Sequence, residues 1–285
     1  PILTAFFYRY VAMTGAMEPF LAAAGFNALF ALAGWALRGV DAGGAMAGMA
    51  VGTGLLASAG MPAFAILGAF FFSSVFLGRL GKGRRDEAAL VVDKGSRRDT
   101  WQVLANGGVG LLTALAYGIS RQPAFLVACG VAFAEATADT WASEIGVLSP
   151  SSPRSILSRK EMPAGASGGV SRLGTFASLA GSVMVGLIFM AGYRGILGHA
   201  EAFRAAIWVA AGGFAGAVID SVLGATLQAQ YECSLSGRLT ERPRTNGVLN
   251  MLTRGYRWVT NDVVNALSGA ASALLTGLLY AAFVG

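Results

Sequence analysis

Charge is what this chain has least of. Only 13% of its 285 residues are Asp, Glu, Lys or Arg, against about 25% in an ordinary soluble domain. So few charges cannot solvate a closed surface, and a soluble globular protein is excluded. Disorder is excluded as well, because 55% of the residues are hydrophobic and a chain that apolar collapses. Histidine is nearly absent: His199 stands alone, which argues against histidine-based catalysis and against a zinc cage. Two cysteines, Cys129 and Cys233, cannot frame a disulfide scaffold. There is no G-x-x-x-x-G-K-[ST] run, so a P-loop nucleotide site is excluded.

What remains is an integral membrane protein, and its apolar runs predict an all-α polytopic fold. About 20 apolar residues span a bilayer as a helix. Leu21 to Leu37, Val103 to Ser120, Leu173 to Tyr193 and Val263 to Gly285 carry no charge. Ala42 to Gly78 is also uncharged, but it is too long for one span. Its interruption at Gly60-Met61-Pro62 predicts two short helices in a tight hairpin. Two further spans, about 123–145 and 205–226, carry Glu135, Asp139 and Asp220. The expectation is eight helices in a single membrane domain over 1–285, or six to seven if the hairpin is re-entrant. Residues 1–20 hold Arg9 and Glu18 among apolar neighbours and read as an amphipathic segment lying on the membrane.

The net charge of +6 is accounted for by topology. The long loops 79–102, 146–172 and 227–262 hold seven, four and five Lys or Arg, and Arg38 brings that side to 17 of 21. By the positive-inside rule the loops are expected in the cytoplasm of a prokaryotic plasma membrane, with both termini outside. The basic balance then needs no nucleic-acid partner. Gly43 to Thr53 resembles Gly168 to Thr175, and Ser74-Val75 resembles Ser221-Val222. These likenesses suggest a 4+4 parallel duplication, with chance similarity between Gly/Ala-rich helices as the alternative.

The scarce acids are the first candidates for chemistry. Glu135, Asp139, Asp220 and Asp262 fall within or at the edge of apolar helices, where an ionised carboxylate is costly and usually paired, metal-bound or functional. Glu135 and Asp139 lie four apart and share a helical face, and Glu144 follows at the helix end. A second element is the loop Arg159 to Arg172, which holds Gly165, Ser167, Gly168, Gly169 and Ser171 between Lys160 and Arg172. Its glycines allow backbone amides to approach an anion, and it enters a helix N-terminus that favours phosphate. A third element joins Arg98 and Trp101 to Asn106, with Asn261 and Asn265 at the start of the last helix. The Phe70-Phe71-Phe72 cluster is assigned no role. The bland reading pairs the acids with arginines and leaves the loop as flexible positive-inside sequence. The functional reading is Mg²⁺-assisted phosphate chemistry, because Mg²⁺ uses one or two carboxylates together with substrate phosphates.

Five ordered motifs add a resemblance. Arg98-Asp99-Thr100-Trp101-Gln102 through Gly107, Ala138-Asp139-Thr140-Trp141-Ala142-Ser143-Glu144, Gly168-Gly169-Val170-Ser171, Asp220-Ser221-Val222-Leu223-Gly224 and Asn261-Asp262-Val263-Val264-Asn265 resemble one family over about residues 40–285. That family was long catalogued as a domain of unknown function. It includes phytyl-phosphate kinase of chloroplasts and cyanobacteria and an uncharacterised vertebrate transmembrane protein. The resemblance implies transfer of a phosphoryl group from a nucleoside triphosphate, CTP rather than ATP, to an isoprenyl monophosphate such as phytyl or geranylgeranyl phosphate. Asp139, Asp220 and Asp262 would then hold Mg²⁺, with Glu135 or Glu144 assisting. Lys160, Arg172 and the Gly165–Gly169 amides with Ser167 and Ser171 would hold nucleotide phosphates. Arg98, Asn106, Asn261 and Asn265 would hold the acceptor phosphate. The partners expected are the isoprenoid substrate and membrane lipids. Two rivals make different predictions. A prenol kinase would need a base for the hydroxyl proton. A transporter or flippase would put its acids near the bilayer midplane.

Overall fold

A computed structural model describes residues 17–80, 88, 91–93 and 97–284, with side chains from residue 24 onward. The expected surface segment over 1–20 therefore lies almost wholly outside the described residues. Seven helices follow: α1 (Met17–Ala36), α2 (Ala42–Leu77), α3 (Thr100–Ser120), α4 (Pro123–Gly146), α5 (Arg172–Leu197), α6 (His199–Thr226) and α7 (Asn261–Phe283). Short strands of two to four residues staple the loops: β1 and β2 (Arg154–Ser155, Gly169–Val170), then β3 to β7 between Gln230 and Arg254. The chain is an all-α polytopic membrane protein.

Helix starts are set by short polar caps. The Asp41 carboxylate accepts from the Gly44 amide at 2.7 Å, and the Ser171 hydroxyl accepts from Gly174 at 3.0 Å. Asp99 and Gln102 form a reciprocal capping box at 2.9 and 3.1 Å, which satisfies two N-terminal donors at once. Pro123 opens α4 at a position where its missing N–H costs nothing.

Straight, the 36 residues of α2 would reach about 54 Å, far beyond a hydrocarbon core of about 30 Å. Gly60, at φ 79° and ψ −171°, breaks the helix in a region that essentially only glycine occupies. The Tyr193 hydroxyl donates to the Ala59 carbonyl at the break, at 3.0 Å. Both ends of α2 meet Arg98: Gly44 packs against its carbonyl, and Ser74 accepts from its guanidinium at 2.8 Å. The predicted hairpin is therefore present, as two legs within α2. Five helices, α2, α3, α5, α6 and α7, are long and apolar enough to cross a membrane. With the hairpin counted as two, the described helices make eight legs.

At the centre is α4, buried without interruption from Leu126 to Ala138. Glycines let its neighbours approach closely. A Cβ at Gly130 would stand 2.9 Å from the Phe189 ring, and one at Gly110 would strike Phe133. The three long loops gather at one end of the bundle. There Thr240 Oγ1 and the Glu241 amide donate to the Val91 carbonyl at 3.2 and 2.7 Å, and Ser167 Oγ donates to Gln228 Oε1 at 2.6 Å.

Candidate functional site

The carboxylates of the central helix meet those of α6 below the loops. The Asp139 and Asp220 carboxyl groups are in hydrogen-bond contact. From α7, Ser268 donates to Glu135 Oε1 at 2.7 Å and reaches Asp220 Oδ2 at 3.1 Å. Asn265, with its side-chain nitrogen turned toward Asp220, donates to Asp220 Oδ2 at 3.1 Å and to the Asn261 carbonyl at 3.0 Å. The same amide lies 3.4 Å from that of Asn106. Four helices, α3, α4, α6 and α7, thus supply one polar cluster within the bundle. Gly216 and Gly269 leave it room, since a Cβ on Gly269 would stand 3.3 Å from Glu135 Oε2.

Above the cluster is a cavity of about 930 Å³, whose walls include Asp139, Glu144, Asp220 and Asp262. Its opposite wall is the glycine-rich loop, with Gly165, Ser167, Gly168, Gly169 and Ser171. Four of the five acids singled out in the sequence therefore face one space beside that loop. Glu135 is one turn deeper, 2% exposed, and is not part of the cavity wall.

A family of integral membrane proteins, DUF92, matches residues 25–273. The chain belongs to this family. Protein PGR of Arabidopsis thaliana is 30% identical over 273 residues, covering 88% of this chain and 93% of that protein. The uncharacterized membrane protein MJ0933 of Methanocaldococcus jannaschii is 30% identical over 193 residues, 67% of this chain and 76% of its own. The uncharacterized membrane protein sll0875 of Synechocystis sp. is 26% identical over 231 residues, 79% of this chain and 77% of its own. No solved structure matches.

In this DUF92 chain two of the expected cations stand apart from the cavity wall. Lys160 is exposed, because its carbonyl accepts from Ser155 at 2.8 Å and the β1 staple turns it outward. Arg172 begins α5 on an exposed face, just after the capping Ser171. Arg257 lines the cavity instead. The glycines also have a packing role that spacing alone could not reveal. Gly168 has φ 80°, and a Cβ there would be 2.5 Å from Ala225. The Gly169 amide is committed to the Ala166 carbonyl at 3.0 Å. Arg98 lies over the Phe70 ring, 4.9 Å from its centroid, and lines a separate crevice. Burial holds its guanidinium below the ordinary value, and Glu144 opposes that shift.

Glu241 was not anticipated. It lies in the wall of the large cavity, and burial, then Asp93, pushes its carboxyl up to about 8. Nothing in its Thr-Glu-Arg-Pro surroundings distinguishes it from a solvated loop acid. Ser268 was equally silent, as one serine in an apolar helix.

The donor set is compatible with magnesium. Among the described residues no three Asp, Glu, His or Cys groups form a metal cage. Two facing carboxylates with room for oxygen ligands are, however, the sparse protein share that Mg²⁺ accepts. The contact between Asp139 and Asp220 is itself the fitting observation. Like charges side by side at membrane depth are costly, and a shared proton or a divalent cation relieves the cost.

Proposed function

We propose that this protein is a membrane kinase that transfers a phosphoryl group from a nucleoside triphosphate, CTP or a similar donor, to an isoprenyl monophosphate. The observation that carries the reading is the pairing of Asp139 and Asp220 in the wall of a cavity completed by a glycine-rich loop. A transporter would favour acids at mid-depth. Here Asp139, Asp220, Glu144 and Asp262 line a space at the loop end, which supports the kinase.

Asp139 and Asp220, with Asp262 at the edge, are the residues that would hold Mg²⁺, which supplies charge neutralisation on the transferring phosphoryl group. The Gly165–Ser171 loop and Arg257 would orient the donor's phosphates. Asn265 and Asn106 would present the acceptor phosphate, with Arg98 neutralising it. One acceptor oxygen forms the new P–O bond as the γ-phosphoryl bond to the nucleoside diphosphate breaks. A phosphate monoester is already ionised near neutral pH, so no strong base is required. A prenol would need one, with Asp139 or Glu135 the nearest candidates. By the positive-inside rule the cation-rich loop end would face the cytoplasm, where nucleotides are available.

The test uses purified protein in nanodiscs with Mg²⁺, each labelled nucleoside triphosphate, and prenyl alcohols and monophosphates of several lengths. Label should reach a monophosphate with wild-type protein and not with Asp139→Asn. Transfer to alcohols alone would favour the prenol kinase. No transfer to any acceptor, with lipid or solute crossing proteoliposomes, would overturn the kinase reading.

A further inference from the structure

The large cavity is not confined to the loop layer. Its wall continues down two neighbouring helices, along Gly174, Thr175 and Ser178 of α5 and Phe214, Val218 and Ser221 of α6. Spacings of three and four put each set on one helical face, and the α6 strip from Phe214 to Ser221 is about 10 Å long. We infer that the gap between these two faces is a lateral entrance from the bilayer, through which an amphiphile with a phosphate head and an apolar chain reaches the Asp139–Asp220 pair. The chain stays in the gap, against Phe214 and Val218.

Three observations carry the assignment, whose phosphate head rests on the kinase reading. First, the two helices part toward the loop end. Deeper in the bundle they touch: a Cβ at Gly186 would stand 2.8 Å from the Ala206 carbonyl oxygen and 3.2 Å from the Ala210 Cβ. From Ser178 and Phe214 toward the loops, the cavity runs between them instead. Second, the cavity reaches the outside of the bundle. Val218 lines it and is 42% exposed. It lies about three turns along α6 from Ile207, hence on the same side, and Ile207 is 54% exposed. Across the gap, Thr175 is exposed beside Phe176, which is 72% exposed. An opening bordered by these residues faces lipid, because α5 and α6 are both long and apolar enough to cross a membrane. Third, the polarity of the wall is graded. It runs from carbon at Phe214 and Val218, through hydroxyls at Ser178, Thr175 and Ser221, to the carboxylates of Asp220 and Asp139. A nucleotide that arrives at the loop end needs no carbon-lined side opening, whereas an amphiphile held in the bilayer does.

The experiment uses a C20 isoprenyl monophosphate carrying a diazirine on its chain, photolysed with the full chain in nanodiscs and mapped by peptide mass spectrometry. A C20 isoprenyl methyl ether with the same diazirine reports ordinary lipid contact. The phosphate probe should label residues 171–179 and 214–222 several-fold more than the ether does. Val218→Trp and Thr175→Trp should each cut that label at least tenfold, with unchanged thermal unfolding in detergent, and Val218→Ala should keep it. Ile207→Trp is the control for an added indole on the same side of α6, and it should leave the label unchanged. Label concentrated on α1, α2 or α3, equal for the two probes, or unaltered by both tryptophan variants, would overturn the entrance. If wild-type protein is labelled in the gap yet transfers no phosphoryl group, the kinase reading fails and the entrance stands. Transfer to the monophosphate with label elsewhere would sink the entrance and leave the kinase reading in place.

Discussion

At the scale of single residues, the polar cluster is held by α7 as much as by its acids. Ser268 reaches Glu135 and Asp220 with one hydroxyl, and hydrogen bonds to carboxylates are worth roughly 1.5–3 kcal/mol. Ser268→Ala should therefore lower stability by about 2 kcal/mol, read as a drop in melting temperature in detergent. Asp220→Asn should leave folding nearly intact, since an amide preserves the shape. Under the kinase reading it should cost on the order of 100-fold or more in kcat, as removal of one preorganised charge partner does. Asp139, Asp220, Glu144 and Asp262 were visible in the sequence because a carboxylate in or beside an apolar helix is conspicuous. Ser268, Glu241 and Phe70 were not, because a serine, a loop acid and a phenylalanine are ordinary where they stand. Only their neighbours give them a place.

At the scale of elements, the hairpin of α2 and the glycine-rich loop both depend on glycine backbone. Gly60→Ala would force a side chain into φ 79°, ψ −171°, at a cost of about 1–3 kcal/mol. It should lower the melting temperature and expose the α1–α2 region to faster hydrogen exchange, while the α5–α7 region stays protected. The hairpin was legible beforehand because Gly60-Met61-Pro62 interrupts an uncharged run too long for one crossing. The loop was legible only in part. Its glycines suggested approach to an anion, whereas Gly168 closes against Ala225 and Gly165 against Ala88. Spacing identifies where backbone must come near something, and not what that something is.

At the scale of the whole molecule, the loop layer is a titratable lid of polar contacts over the cavity. The Glu241 carboxyl is raised to about 8, first by burial and then by Asp93, so it stays neutral in the folded state when the unfolded chain has already ionised. Stability should therefore fall as pH rises from about 4.5 to about 8 and level off above it, since the folded state holds the extra proton through that window. Protection factors of residues 238–254, with the base-catalysed intrinsic exchange rate divided out, should be lower at pH 8.5 than at pH 5.5, and Glu241→Gln should flatten that difference. Sidedness is tested separately. Cysteines placed at Ser151 and His199, both exposed, should be labelled from opposite faces of intact membranes, Ser151 from the cytoplasmic one. The native Cys129 and Cys233 are buried.

Membrane residence, the helical class, the hairpin break and the loop end of the bundle were determined by the sequence alone. Each follows from how long a run can go without charge, and hydrocarbon enforces that limit locally along the chain. Which acids meet was decided by the tertiary structure. Glu135 and Asp139 are neighbours on one helix, but Asp220, Asn265 and Ser268 reach them from positions more than 80 residues further along the chain. That convergence depends on crossing geometry and on glycines that let the helices close. The few charges with which the sequence begins are in the end sorted by packing: Asp139, Glu144, Asp220 and Asp262, with Asp93 and Glu241 from the loops, to the cavity, Glu135 beneath it, and Arg98 to the apolar crevice beside it.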